Sequence, residues 1–248
     1  VGTVPMTGVA VSNQLLFVFN LCIFGAVSGA GIFGAQFYGK RDHEGLKNTL
    51  RFKFLFCSAI TLIGIGLFLV FGDSLIGMYL KGEGSAADAA ASLSFAKNYL
   101  LVMLIGMLPY TIAQCYASTL RETGQTVVPM VAGLIAVFTN LGLNYLLIFG
   151  KLGLPALGVV GAAVATVISR FVELAIVVIW THKHPKQNTF SIGLYRSFRV
   201  PRTLFASILL KSLPLMANET LWAAGIAAIN QCYSVKGLSV VAATNIAA

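Results

Sequence analysis

The chain has 248 residues, 57% of them hydrophobic and only 10% charged, with a mean hydropathy of +0.85, which excludes a soluble domain with an ordinary polar surface. Its formal charge of +9 does not call for nucleic acid, because in a membrane protein basic residues sort by loop. Cys22, Cys57, Cys115 and Cys232 all sit inside apolar runs without metal-ligand spacing, so neither a disulfide framework nor a zinc site is expected.

Charge, glycine and proline punctuate the chain into six hydrophobic spans, at residues 6–38, 54–80, 95–120, 127–149, 157–180 and 204–233. A seventh starts near Ser239. Residues 6–39 carry no charge over 34 positions, more than the roughly 20 that cross a ~30 Å hydrocarbon core as a helix and longer than a signal-peptide core. Near-continuous apolar runs indicate helices rather than the alternating strands of a barrel. The fold class expected is all-α, a polytopic membrane helix bundle. The chain opens on Val1 and stops inside an apolar run, "TNIAA", so it reads as an internal piece of a longer protein.

The first, third and fifth loops hold 12 basic and 3 acidic residues, against 4 and 3 in the loops between them, which places the first set on the cytoplasmic side. A weak attraction of these loops to anionic lipid follows. The fifth loop, residues 184–202, is the longest polar interval and is expected to link two helical bundles. "GVAVSNQL" at residues 8–15 and "VVAATNIA" at residues 240–247 match in pattern, as internal repeats of a carrier would.

With that orientation three charged residues, Arg170, Glu173 and Glu219, remain at hydrocarbon depth, where each costs several kcal/mol unless paired or solvated. Arg170 and Glu173 are three residues apart, on one helical face, and suit a structural ion pair. Glu219 in "LPLMANETLW" has no such neighbour; it is either a carboxylate that exchanges a proton or holds a cation such as Na+, or a neutral hydrogen-bonded packing group. Asn140 and Asn144, four apart in "FTNLGLNYLLIFG", offer carbonyl oxygens to an ion or tie helices together. Thr166 lies in a small-residue stretch suited to close packing, and "GAVSGAGIFGAQ" reads as a close-packing surface. Pro109 and Pro214 mark kinks. His43, His182 and His184 read as solvated or headgroup-facing, and there is no HExxH, P-loop or carboxylate cluster to suggest an enzyme, an organic cofactor or a metal centre.

"GAQFYGKRD" at residues 34–42, "LRETGQTVVPM" at residues 120–130, "NLGLNYLLIFG" and "LGVVGAAVATVIS" together resemble the multidrug and toxic compound extrusion (MATE) family, in the family's order and over nearly the whole chain. The resemblance implies a carrier of two pseudo-symmetric six-helix lobes, of which this chain holds the second to seventh helices and the start of the eighth. Residues 1–183 would be the N-terminal lobe lacking its first helix, 184–202 the cytoplasmic linker and 203–248 the start of the C-terminal lobe. It implies a monomeric, multi-pass antiporter of a bacterial plasma membrane, exporting cationic or amphipathic drug-like compounds against Na+ or H+. By the same resemblance Glu219 matches the acidic residue of the seventh helix, and Asn140, Asn144 and Thr166 match positions that surround an acidic residue of the N-lobe; Asn218, Asn13, Gln36, Arg170 and Glu173 are further candidates for ion or substrate contact. The alternatives are a lipid-linked precursor flippase of a related fold, which would want more cationic residues in its cavity, a membrane-embedded enzyme and a structural membrane subunit.

Overall fold

The computed structural model describes residues 3–79, 86–151, 153 and 155–234. Every regular element among them is helical: α1 (Thr3–Gly39), α2 (His43–Tyr79), α3 (Ala86–Ile105), α4 (Met107–Glu122), α5 (Val127–Phe149), α6 (Gly158–Lys183) and α7 (Arg202–Ser234), with 3-10 turns at Thr189–Ser191 and Leu194–Arg196. A backbone in hydrocarbon must satisfy its own polar groups, and helices do so within each segment. Among the described residues α1, α2, α5 and α6 are each long and apolar enough to cross a membrane, and α3 with α4 makes a fifth span, bent by 46°. Its 33 residues make α7 long enough as well, although it carries Lys211, Pro214 and Glu219. The seventh span near Ser239 and the repeat at residues 240–247 lie outside the described residues.

Residues 95–120 bend as Pro109 leads one to expect, but as two helices rather than one kinked helix. They break at Gly106, three residues before Pro109. Pro109 has no N–H to give the carbonyl of Ile105, and the Gly106 N–H turns back to Met103 O at 3.0 Å, which closes the last turn of α3 tightly. In α7, by contrast, Pro214 leaves the helix uninterrupted.

Short turns join the helices. Asp42 Oδ1 accepts the Gly45 N–H at 2.8 Å and so caps the start of α2. Gly124, at φ +78°, ends α4 in the left-handed region, and the Gln125 N–H reaches back to Leu120 O at 2.8 Å. The glycine-rich stretch of α1 is the close-packing surface expected of it. Gly25 and Gly29, four apart, face α7: a Cβ on Gly25 would stand 2.7 Å from Met216 Cα, and one on Gly29 would overlap Ser212 Cα. Lipid does not drive helices together as water does, so backbone approach of this kind is what holds α1 to α7.

The loop at residues 184–202 is not a loose connection. Phe190 is 1% and Leu194 0% exposed, both inserted in the core, and Arg51 of α2 donates from Nε to Leu194 O and from a guanidinium NH2 to Gly193 O, each at 3.0 Å.

Arg170, Glu173 and Glu219 are not the only charges inside the bundle. Lys53 and Glu122, expected in loops, belong to α2 and α4, which extend beyond their apolar runs and carry both side chains into the packed interior. The Lys53 side chain is 0% and that of Glu122 9% exposed, and they pair at 2.5 Å. Lys53 Nζ also donates to Ser118 Oγ at 3.0 Å and Thr119 Oγ1 at 3.2 Å, while the Ser118 hydroxyl bonds the same Glu122 oxygen. On the other side lies α1, where a Cβ on Gly34 would overlap Glu122 Oε2 and one on Gly31 would stand 2.8 Å from Oε1.

Breaking a buried pair from one side strands a charge, at about 3–5 kcal/mol, whereas replacing both members by apolar groups is often close to neutral. Thermal unfolding of the full-length protein in detergent is therefore expected to show a large loss for Lys53→Met and recovery in Lys53→Met with Glu122→Leu; equal losses would contradict the pairing. Arg51→Ala frees the Gly193 and Leu194 carbonyls, and trypsin is expected to cut after the exposed Arg196 and Arg199 several-fold faster, measured by the rate of fragment appearance.

Candidate functional site

Asn140 and Asn144 stand one above the other on α5 because four residues return a helix to the same face. The opposing helix, α6, comes close at Gly161, where a Cβ would stand 2.8 Å from Leu147 O. That approach brings Thr166 within reach. Asn144 Nδ2 donates to Asn140 Oδ1 at 2.9 Å, Asn140 Nδ2 to Thr166 Oγ1 at 3.1 Å, and the Thr166 hydroxyl to Ala162 O at 3.0 Å. The direction of donation leaves Asn144 Oδ1 at the head of the chain, buried and without a partner. Such an orphaned oxygen is costly in a low-dielectric interior and is the kind of ligand a hard cation takes. All three groups are neutral.

Glu219 belongs to a different seam. It is half-buried on α7 and lies against α1: its Cγ is 3.1 Å from where a Cβ on Gly25 would be. The three salt bridges among the described residues are Lys47–Glu44, Lys53–Glu122 and Lys97–Asp73, so no cation is paired with it. Two turns earlier, Ser212 Oγ is buried at Gly29 without a partner. The seam thus holds a carboxylate and a hydroxyl, seven residues apart on one face of α7. Phe17 and Trp222, with ring centroids 6.4 Å apart, flank it. Since α5 and α6 pack on each other and α7 packs on α1, the carboxylate and the amides do not form one site.

Arg170 and Glu173 do not close the expected salt bridge. The Arg170 side chain instead crosses to the α3–α4 bend, where Gly106 leaves room, and its guanidinium carbon stands 4.9 Å over the Tyr110 ring. The ring face accepts the cation, so the i, i+3 spacing alone does not decide the partner. Asn13 is exposed and its Oδ1 accepts the Tyr99 hydroxyl at 3.0 Å, while Gln36 and Asn218 are exposed on α1 and α7.

A cavity of about 410 Å³ opens between α1 and α4, lined by Ser28, Gly31, Gln114, Ser118, Arg121 and Glu122 among others. Counting charges by loop puts Glu122 in the third, cytoplasmic loop, so it is not among the expected site residues. The available signal was Gly31 and Gly34, three apart on one face of α1, which make a slot for a carboxylate rather than for a helix.

The MatE family model matches residues 1–146. A probable multidrug resistance protein NorM of Thermotoga maritima is 34% identical over 171 residues, 69% of this chain and 35% of that protein. A probable multidrug resistance protein YoeA of Bacillus subtilis is 28% identical over 218 residues, 86% and 45% of the two chains. The chain thus spans less than half the length of these relatives. Two solved structures share the fold, an outward-facing multidrug resistance MATE family transporter of the MOP superfamily (TM-score 0.79, 23% identity, covering 100% of this chain and 52% of that one) and an inward-facing one (TM-score 0.71, 22% identity, covering 91% and 49%). With its membrane-spanning helices, its all-helical fold and a family model matched over more than half its length, this multi-pass membrane chain belongs to the MatE family of multidrug and toxic compound extrusion transporters.

Proposed function

We propose that the chain is part of a secondary active antiporter that exports cationic or amphipathic organic compounds in exchange for Na+ or H+. The observation that carries the reading is Glu219: a carboxylate in a helix seam, outside every salt bridge of the described residues, and half-buried against Gly25. A charge kept there without a partner costs several kcal/mol, which an exchangeable cation or proton offsets. The relatives named as multidrug resistance proteins support a drug-like substrate.

Coupling requires only that ion and drug bind the inward- and outward-open states unequally. An ion that neutralises Glu219 removes the penalty of holding the α1–α7 seam closed over a charge, and its release restores that penalty. A ~100 mV potential contributes about 2.3 kcal/mol per charge moved, roughly a 50-fold concentration ratio. The Asn144–Asn140–Thr166 chain supplies a second cation position, with Asn144 Oδ1 as its free ligand.

Two measurements on the full-length transporter in vesicles test this. Glu219→Gln is expected to lower ion-driven drug efflux at least about tenfold, the equivalent of one charge-assisted hydrogen bond; a full rate with unchanged ion dependence would sink the coupling role. Amide and hydroxyl oxygens ligate Na+ but do not hold a proton at neutral pH. Asn144→Leu is therefore expected to raise the Na+ concentration for half-maximal efflux roughly tenfold, for one lost ligand worth about 1.4 kcal/mol, and to leave a proton-driven rate unchanged.

A further inference from the structure

The outer face of α2 carries a groove of about 560 Å³ that the transport reading does not use. Its floor is a stripe of Phe54, Leu55, Ser58, Ala59 and Leu62, residues that recur at helical spacing along one face. Its rim is Tyr195 and Phe198, from the docked loop before α7.

Position along the membrane normal gives this groove its meaning. The last charge before it on α2 is Lys53 and the next is Asp73, so residues 54–72 are uncharged, 19 positions that rise ~28 Å and match the hydrocarbon core. The groove floor covers the first ~12 Å of that run, close to the depth of one leaflet, on the side of the basic loops. The aromatic rim then sits at headgroup level, where amphipathic rings are favoured.

That rim is rigid. The Tyr195 hydroxyl bonds that of Tyr116 on α4, His182 of α6 stacks on the Tyr195 ring at 5.6 Å with 4° between planes, and Arg51 holds the carbonyls of Gly193 and Leu194. It is also basic. Arg196 and Arg199 alternate with Tyr195 and Phe198 in the chain and are exposed. The acidic residues at this end are already engaged: Asp42 caps α2, Glu44 pairs with Lys47, and Glu122 with Lys53. Neither arginine has a carboxylate partner among the described residues.

We propose that this groove binds an anionic phospholipid, with one acyl chain along residues 54–62 of α2 and the headgroup phosphate between Arg196 and Arg199. Arginine forks match phosphate oxygens bidentately, and an apolar trough one leaflet deep, below a fixed aromatic rim whose chain neighbours are two exposed arginines, fits a lipid rather than a soluble anion. The same two arginines disfavour an amphipathic cation there. The inference requires only that the chain spans the membrane, and it stands or falls separately from the coupling role of Glu219.

Native mass spectrometry of the full-length protein in detergent, titrated with phosphatidylglycerol and with phosphatidylcholine of the same acyl chains, tests it. Wild type is expected to retain phosphatidylglycerol preferentially. Arg196→Gln with Arg199→Gln is expected to cut that retention by roughly fivefold per arginine removed, towards the phosphatidylcholine level. Ala59→Trp, at an exposed position where a large side chain fills the trough without entering the core, is expected to lower retention of phosphatidylglycerol while leaving thermal unfolding unchanged. The control Lys40→Gln with Lys186→Gln removes two exposed charges from the same end, outside the groove, and is expected to change nothing. Equal retention of the two lipids in wild type would overturn the proposal. So would an equal loss in the lysine control, which would mean diffuse surface charge, or full retention in Ala59→Trp, which would leave the trough without an acyl chain.

Discussion

The buried Lys53–Glu122 pair constrains the bundle more than any other single contact. It joins the first third of α2 to the end of α4 on the side of the basic loops, with Lys53 wholly and Glu122 largely shielded from solvent. A pair in that setting is held together by the cost of its own separation rather than by net attraction, since desolvation takes back most of the Coulomb energy. Its geometry therefore dictates to its neighbours: Ser118 and Thr119 must supply hydroxyls, and α1 must supply glycine at positions 31 and 34. The fixed end of α2 then determines where Arg51 points, and through it where residues 193 and 194 of the loop before α7 are held.

In the sequence, the apolar runs and glycine punctuation made the helices legible, and their order follows directly. The α3–α4 span was legible only in part. Pro109 announced a bend, but the break falls where Gly106 lets the chain leave the helix, a decision that depends on a backbone hydrogen bond no residue pattern displays. The polar chain from Asn144 through Asn140 to Thr166 was legible as a face of α5 and a position on α6, because the i, i+4 period and the small residues of α6 both act locally. Lys53 with Glu122 and Arg170 with Tyr110 were not, because each pairing spans tens of residues and hangs on a long side chain choosing among partners on other helices. Counting charges by loop assigns a residue to water by its neighbours in the chain, and α2 and α4 outrun their apolar segments.

The glycines of α1 serve two partners. At about 100° per residue, Gly25 and Gly29 fall on one side of the helix and Gly31 and Gly34 on nearly the opposite side. The first pair admits the backbone of α7 at Met216 and Ser212; the second admits the carboxylate of Glu122. A single helix thus forms one wall of the Glu219 seam and one wall of the Lys53–Glu122 slot.

This double use distinguishes Glu122 from Glu219 among the intramembrane carboxylates. Glu122 holds Lys53 and Ser118 on Oε1, while Oε2 lies against Gly34 without a donor, so any displacement of α1 from α4 exposes or strands the carboxylate and it resists motion there. Glu219 has glycine beside it and no donor answering its charge among the salt bridges of the described residues, so no ion pair has to break for the seam around it to open. Small residues let helices approach closely and equally let them slide, because no interlocked side chain must be withdrawn. If α7 moves against α1 in a transport cycle, the rigid side of α1 supplies the reference and the smooth side the travel. A charge stationed on the smooth side would then meet the change of environment that the proposed ion coupling requires.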